Sequence, residues 1–166
     1  MTADDPSLTL LRSKVRDVPD FPTPGILFKD ITPLLSYHHA MDAALSLLAL
    51  AIEDLMFDVI AAPEARGFIF AAPLASHFGV GLALIRKPGK LPAATLSHTY
   101  SLEYGNDTLE MHADSFEGMV SPRVLIVDDV LATGGTAAAS AELIKSAGGV
   151  DLKKKSSGVL YAPSRP

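Results

Sequence analysis

The segment that most constrains this chain runs from residue 124 to residue 136 and reads VLIVDDVLATGGT. Its first four residues are continuously apolar, which is typical of a strand buried on both faces of a parallel sheet. Asp128 and Asp129 end that strand, and a glycine pair leads into a segment of helical character. This order of strand, acidic tip, glycine loop and helix predicts an α/β fold with a ligand site beyond the carboxyl end of the strand.

The rest of the chain repeats the alternation of strand and helix. Apolar residues between residues 38 and 56 recur at spacings of three and four, which predicts a helix with Ser36 as a candidate N-cap. We therefore expect an α/β fold with a mainly parallel sheet flanked by helices, in a single domain over residues 1–166. The other predicted elements are strands at 57–62 and 80–85, a helix at 68–77 and a helix ending near Ala147, with Gly148 as its C-terminal cap.

Two segments depart from this alternation. The stretch from Pro19 to Pro33 contains several prolines and Gly25, so a regular helix is not expected there. Two alternating runs lie on either side of Gly105-Asn106, which predicts a hairpin. With the basic loop before it, the hairpin forms an arm over residues 86–112 that we expect to lie over the site and to be flexible.

Composition excludes several classes of function. A net charge of −5 argues against a broad nucleic-acid surface, since phosphate backbones are bound by a surplus of Lys and Arg. No cysteine occurs, which rules out disulfides and thiolate chemistry and fits a cytoplasmic enzyme. The N-terminus carries acids where a secretory signal has basic residues, and the apolar stretch 43–52 is too short to span a bilayer. We expect no membrane partner.

The glycine loop has the composition of a phosphate site. Backbone N–H groups at a helix start converge on phosphate, and threonine hydroxyls add donors. Asp128 and Asp129 can accept hydrogen bonds from vicinal hydroxyls or hold water on a divalent ion such as Mg²⁺. The predicted phosphate-binding residues are Ala132, Thr133, Gly134, Gly135 and Thr136.

The segment has other interpretations. Taken singly, Gly134-Gly135 is a turn and the two acids are a solvated strand end, but the joint pattern favours a phosphate site. A nucleoside triphosphatase would share the acidic strand, yet no G-x-x-x-x-G-K-[ST] loop occurs in the chain. The dinucleotide fingerprint G-x-G-x-x-G is absent as well.

At these residues the sequence resembles the type I phosphoribosyltransferases. Four more stretches, DFPTPGILFKDITPLL, EARGF, IRKPGKLP and YSLEYGNDTLEMH, narrow the resemblance to the adenine phosphoribosyltransferases. It covers the chain from about Val15 to Gly148. The resemblance implies purine salvage, in which adenine and phosphoribosyl pyrophosphate give AMP and pyrophosphate with Mg²⁺, in a homodimer. It assigns base binding to the N-terminal segment 1–35.

The resemblance also implies roles for single residues. Asp128 and Asp129 would bind the ribose hydroxyls, and the glycine loop would bind the 5′-phosphate. The pyrophosphate needs cations near it, and three basic residues at strand ends are the candidates. They are Arg66, Arg86 and Lys90.

For the base and the chemistry, the resemblance points to two further groups. Main-chain groups of Leu27 and Lys29 would read the adenine edge, with Phe28 on one face of the base and Val130 on the other. Glu103 would exchange the imidazole-ring proton of adenine, and Tyr104 beside it is assigned to substrate binding. On sequence alone, Phe28 is as well explained by a core position, and Glu103 by an outward strand position.

Two alternative functions remain open at this point. Another purine, such as hypoxanthine, guanine or xanthine, could be the acceptor base. A regulator that binds phosphoribosyl pyrophosphate is the non-enzymatic alternative, but it would call for a basic DNA-binding module and would lack a glutamate at position 103.

The tail at 150–166 departs from the pattern of the family. Lys153 to Lys155 are three like charges in a row, and Ser156 to Gly158 follow as a flexible tract. A buried central strand is not expected through such a segment. We predict that residues 153–166 form no central strand and contact no ligand.

Overall fold

The computed structural model describes residues 5–102, 105–131 and 134–151. Its contacts divide the chain into two compact units, Met1–Ile52 and Glu53–Pro166. That the whole chain acts as one domain stays a prediction.

The N-terminal unit contains three helices and a two-stranded antiparallel sheet. In the sheet, Arg16 pairs with Asp30 and Pro19 with Leu27, and the proline-rich connection lies between the strands. The expectation that this connection is not a regular helix agrees with the structure. The elements are α1 (Pro6–Ser13), β1 (Arg16–Pro19), β2 (Leu27–Asp30), α2 (Thr32–Leu35) and α3 (His38–Ile52).

The short helix α2 was not predicted from the sequence. Asp30, the last residue of β2, precedes the N-cap residue Ile31. Its carboxylate accepts hydrogen bonds from the backbone N–H of Thr32, 2.9 Å away, and from the hydroxyl of Thr32. These bonds, with one from Arg16, lower the pKa of Asp30 to about 2. Pro33 fits the first turn, where a missing N–H costs nothing. Ser36 lies at the C-terminal cap of α2, so its predicted role as the N-cap of the following helix was wrong.

Helix α3 begins at His38 as predicted but ends at Ile52, four residues before the predicted end. Glu53 and Asp54 follow directly, and negative charge is unfavourable at the negative end of a helix dipole. The next two apolar residues, Leu55 and Met56, are 41% and 69% exposed, so packing does not offset that cost. In the described part of the chain, no helix combines the length and hydropathy needed to cross a membrane.

The second unit contains a four-stranded parallel sheet, a hairpin and two long helices. All five residues of its strand at 59–63 are buried, which explains the apolar run there. The elements are β3 (Val59–Pro63), α4 (Arg66–Phe78), β4 (Gly81–Ile85), β5 (Thr95–Leu102), β6 (Gly105–His112), β7 (Arg123–Ile126), α5 (Gly135–Ser146) and β8 (Val150–Asp151).

The sheet order β4-β3-β7-β8 confirms the predicted parallel α/β fold. From β3 the chain crosses through α4 to β4, and from β7 it crosses through α5 to β8 on the opposite side. Because parallel crossovers are right-handed, two crossovers running in opposite directions place their helices on opposite faces of the sheet. The sheet is therefore covered on both faces.

The predicted hairpin is present, but Gly105-Asn106 are not its turn. Leu102 pairs with Gly105 and Ser101 with Asn106, so Gly105-Asn106 belongs to β6. Its inner residues join the sheet and α5 in one core. This core contains Val59, Ala61, Ala83, Ile85, Leu109, Met111, Phe116, Val124, Ala139, Leu143 and Ile144.

The last described strand, β8, has two residues and lies at the edge of the sheet beside Arg123 and Val124. Residues 152–166 lie outside the described residues. The expectation that 153–166 form no central strand therefore stays a prediction.

Gly149 provides a test of the core. A Cβ at this position would lie 2.8 Å from Ile144 Cγ2, 2.9 Å from Phe116 Cε2 and 3.1 Å from Val124 Cγ2. We expect Gly149→Ala to lower the free energy of unfolding by about 1–3 kcal/mol, because three core side chains must move. Urea denaturation measures the change.

Gly81→Ala is the matched control, since a Cβ there meets no atom within 4 Å. Neither glycine has a left-handed φ, so backbone strain does not separate the two variants. Equal stability of the two variants would contradict the packing around Gly149.

Candidate active site

The candidate site lies where two neighbouring parallel strands end. Ala61 of β3 pairs with Ile126 of β7, so the residues that follow each strand emerge at the same edge of the sheet. The chain leaves this pair in opposite directions, and ligands of open α/β sheets bind at such a switch point. A cleft of about 240 Å³ lies there, lined by Glu64, Ala65, Arg66, Asp128, Asp129, Val130, Leu131, Gly134, Gly135, Thr136 and Ala137.

An ion pair joins the two strand ends across the cleft. Arg66 Nε, at the start of α4, lies 2.9 Å from Asp129 Oδ2. The Asp129 backbone N–H donates to Asp128 Oδ1 at 2.9 Å, which turns the first carboxylate back over the strand tip. Gly67 allows α4 to begin this close to β7, since a Cβ there would lie 3.0 Å from Val127 O.

The two carboxyl groups are partly removed from water. Burial, together with the charge of Asp129, raises the pKa of Asp128 to about 7. Burial also raises the pKa of Asp129, and Arg66 opposes that rise. Asp128 therefore changes its charge near neutral pH, and a ligand that donates hydrogen bonds to it favours the ionised form.

Helix α5 points its first turn at the same cleft. Gly134 precedes it with φ of +84°, a left-handed value that favours glycine. The first N–H groups of a helix have no partner within the helix, and together with the helix dipole they attract anions. Thr136 adds a hydroxyl, whose oxygen lies 3.3 Å from Tyr100 OH of β5.

The basic loop after β4 is held by two carboxylates. Arg86 Nε donates to Glu64 Oε2 at 2.8 Å, and Arg86 Nη1 donates to Lys90 O at 3.0 Å. On the hairpin side, Glu110 Oε2 accepts from the Gly89 N–H at 3.0 Å. The loop that carries two predicted cations is thus fixed to the end of β3 and to β6.

In the N-terminal unit, the predicted base-binding residues form β2. Leu27 and Lys29 are two apart on a strand, so their backbone groups face the same edge. The rings of Phe28 and Phe21 meet edge to face with centroids 5.1 Å apart. Lys29 Nζ lies 2.6 Å from Asp17 Oδ1, so its side chain is directed to β1.

Comparison with a family model and comparison with single known proteins lead to the same family. The family model of the phosphoribosyl transferase domain matches residues 34–153. The adenine phosphoribosyltransferase of Caldanaerobacter subterraneus is 55% identical over 150 residues, which cover 90% of this chain and 83% of that protein. The chain belongs to the adenine phosphoribosyltransferase family.

Solved structures of this family have the same fold. The adenine phosphoribosyltransferase of Thermoanaerobacter pseudethanolicus matches with a TM-score of 0.82 and 55% identity, over 87% of this chain and 83% of that one. The Saccharomyces cerevisiae enzyme, crystallised with adenine and an imino-altritol bisphosphate, matches with a TM-score of 0.78 and 34% identity, over 88% and 84%. The fold resemblance inferred from the sequence is confirmed.

The structure brings part of the predicted adenine phosphoribosyltransferase site together. Seven predicted residues line the cleft, while Arg86 and Lys90 lie in the loop after β4. Glu103, Tyr104, Ala132 and Thr133 lie outside the described residues. The seven are Arg66, Asp128, Asp129, Val130, Gly134, Gly135 and Thr136.

Four cleft residues were not predicted: Glu64, Ala65, Leu131 and Ala137. Glu64 could have been predicted from the sequence, because it is an acid directly after a buried strand, and the same pattern identified Asp128. Its partner Arg86 is 22 residues away, across α4 and β4, and no local pattern shows that contact.

The pH dependence of stability tests the electrostatics of this cleft. Because the pKa of Asp128 is raised from 3.8 to about 7, the native state binds that proton more tightly than the unfolded chain does. The stabilising effect is present below about pH 4 and is lost as pH rises towards 7. Asp128→Asn has no such proton, so we expect its stability relative to the wild type to improve by about 1–3 kcal/mol between pH 4 and pH 8.

Urea denaturation of both proteins at several pH values measures this difference. The asparagine Oδ1 can still accept the Asp129 N–H, which makes the variant a close match in shape. A difference between the two proteins that stays constant with pH would show that Asp128 ionises normally.

Proposed function

We propose that this chain transfers the phosphoribosyl group of phosphoribosyl pyrophosphate to adenine, giving AMP and pyrophosphate in purine salvage. Its membership of the adenine phosphoribosyltransferase family supports the reaction. The observation that carries the proposal is that Asp128-Asp129, Arg66 and the first turn of α5 meet in one cleft. A sugar diol, a pyrophosphate and a 5′-phosphate need those three kinds of group.

For the sugar phosphate, the first turn of α5 supplies the donors. Backbone N–H groups of Gly135 and Thr136, with those of Ala132 and Thr133 just before them in the sequence, would hold the 5′-phosphate. Asp128 and Asp129 would accept hydrogen bonds from the ribose hydroxyls, and this contact favours ionised carboxylates.

For the pyrophosphate, we propose Arg66, Arg86 and Lys90 as the cationic groups. Two of them already have anionic partners, Arg66 with Asp129 and Arg86 with Glu64. A planar guanidinium carries several donors in a fixed geometry, so each arginine can hold a carboxylate through Nε while an outer nitrogen faces a phosphate.

We propose that Mg²⁺ takes part, held mainly by the substrate. Within the described ranges, no group of three or more acidic or histidine side chains is arranged to hold a metal ion. One or two carboxylates suit Mg²⁺, which keeps several waters and is completed by substrate phosphates. Asp128 and Asp129 are the groups that would hold its water, and the ion would disperse the charge of the leaving pyrophosphate.

For the base, we propose that main-chain groups of Leu27 and Lys29 read the adenine edge and that Phe28 stacks on the ring. Val130, which lines the cleft, is proposed as a further base contact, and Tyr104 as a substrate-binding residue. Apolar and aromatic contacts bury the flat heterocycle, while main-chain donors and acceptors distinguish adenine from an oxopurine.

The chemistry breaks the bond between C1′ and the pyrophosphate oxygen. The electron pair leaves with pyrophosphate, and positive charge develops on the ribosyl group. A ring nitrogen of adenine then donates its electron pair to C1′, and the imidazole-ring proton passes to Glu103 as general base. Such proton transfer typically contributes roughly 10²–10⁴-fold to the rate.

Assembly, compartment and domain roles are parts of the same proposal. The family resemblance supports a homodimer, and the absence of cysteine fits a cytoplasmic enzyme. Residues 1–35 are proposed as the base-binding segment, 86–112 as the arm, and 150–166 as a tail without ligand contacts.

A substrate comparison tests the reaction. With Mg²⁺ and phosphoribosyl pyrophosphate, we expect adenine to be converted to AMP with a kcat/KM at least about 100-fold above that of hypoxanthine, guanine or xanthine. Pyrophosphate release follows each reaction. Equal or faster turnover of hypoxanthine or guanine would refute the adenine assignment.

A glycine substitution tests the phosphate site. Gly134→Val places a branched side chain beside the first turn of α5, and we expect binding of ribose 5-phosphate to be lost or weakened at least about tenfold, since the backbone approach is blocked. Gly118→Val is the matched control, because Gly118 has a similar φ of +77° but lies outside the cleft. Calorimetry measures both. Unchanged binding by Gly134→Val would place the phosphate elsewhere.

A further inference from the structure

Glu64 lines the cleft but is not among the groups proposed to bind the substrate or to transfer a proton. We propose that Glu64 is a positioning residue for the pyrophosphate end of the substrate, and that it acts through Arg86. This inference rests on the proposed function, since it assigns Arg86 to the pyrophosphate. It adds an acid whose task is to orient a cation.

The backbone of Glu64 is fixed before its side chain acts. Glu64 is the first residue after β3, and its N–H donates to Ile85 O at 2.9 Å, which continues the pairing with β4. Its side chain is 16% exposed, and Oε2 accepts from Arg86 Nε at 2.8 Å. A short hydrogen bond between charged groups that are mostly shielded from water holds a long side chain well.

The backbone of Arg86 is fixed as well. Its N–H donates to Glu110 O at 2.8 Å, and its carbonyl accepts from the Glu110 N–H at 2.7 Å. The loop that follows is held by Glu110 Oε2 on the Gly89 N–H. With both ends anchored, the remaining freedom of Arg86 lies in its side-chain torsions, and Glu64 controls these.

The direction of the guanidinium follows from its two contacts. Nε donates to Glu64 and Nη1 donates to Lys90 O, so two contacts fix the plane of the guanidinium. We assign Nη2 to a pyrophosphate oxygen. Arg66, which lines the cleft, is likewise bound by a carboxylate through Nε, so both cations share one arrangement. Fixing a long side chain in advance improves binding because less conformational freedom is lost.

The opposing view is that Glu64 only adds negative charge to the lining of the cleft. A carboxylate beside a pyrophosphate site repels the ligand unless its charge is neutralised, and removing it would then tighten binding. The two views predict opposite signs for the same substitution.

A double-mutant cycle distinguishes them. The variants are Glu64→Ala, Arg86→Ala and the double variant, with kcat, the KM for phosphoribosyl pyrophosphate and the calorimetric Kd of magnesium pyrophosphate as readouts. We expect Glu64→Ala to weaken pyrophosphate binding about tenfold, which is about 1.4 kcal/mol. The KM for phosphoribosyl pyrophosphate rises in parallel. The kcat changes less, because the lost contact is already made to the pyrophosphate group of the bound substrate, before its bond to C1′ breaks.

In the cycle, the double variant binds pyrophosphate no more weakly than Arg86→Ala alone, because Glu64 acts only through that arginine. Glu64→Gln retains an acceptor for the Arg86 Nε–H and is expected to recover most of the affinity. Glu117→Ala, which removes an acid on an exposed loop away from the cleft, corrects for the change in net charge.

Three results would overturn the inference: additive losses in the double variant, a Glu64→Ala protein that binds pyrophosphate as well as or better than the wild type, or a Glu64→Gln protein as impaired as Glu64→Ala. A wild-type protein that forms no AMP would instead refute the proposed function.

Discussion

The parallel pairing of β3 with β7 is the constraint on which the site depends. Both are inner strands of the sheet, and the register of Val59 with Val124 and of Ala61 with Ile126 sets where each strand ends relative to the other. Residues 64–66 therefore follow one strand, and Asp128 and Asp129 follow the other. Both groups lie at the same edge of the sheet. A shift of one residue in that register would reverse the faces of the core side chains as well as misplace the acids. Core packing thus fixes the geometry of the cleft.

The cleft brings together charged side chains, which are usually kept out of a protein core. Two adjacent carboxyls share a partly buried strand tip, and burial raises the pKa of Asp128 to about 7. Arg66 compensates one of them directly through its 2.9 Å contact with Asp129. The charge of Arg66 also opposes the rise in the pKa of Asp128, but it is the smallest of the causes, and a ligand hydroxyl can replace the water that Asp128 has lost. Such incompletely compensated charge is common where binding groups are arranged for a substrate.

Much of this arrangement could be predicted from local sequence pattern. The apolar run ending in Asp128-Asp129 identified the strand and its acidic tip, and the glycines identified the start of α5. Contacts made by distant residues could not be read in this way. Glu64 reaches Arg86 only because β4 pairs beside β3, and the hydrogen bonds from Thr32 to Asp30 ahead of α2 depend on side-chain geometry.

Helix and turn boundaries show a similar limit. The apolar period continued past Ile52, but the acids that follow it end α3 there. Gly105-Asn106 matched a turn signal, yet the register of the hairpin places both residues in β6. In the first case charge outweighed the local sequence pattern for a helix, and in the second strand pairing outweighed the pattern for a turn. The role of Glu103 lies outside the described residues, so the residue proposed as the base for proton transfer stays a prediction.

The central claim is that the cleft between the ends of β3 and β7 binds the phosphoribosyl group. A crystal structure of the protein with AMP tests it most directly. The account predicts the 5′-phosphate within hydrogen-bond distance of the backbone N–H groups of Gly135 and Thr136, and the ribose hydroxyls on the Asp128 and Asp129 carboxylates. A phosphate bound away from the first turn of α5, or a ribose that contacts neither acid, would contradict it.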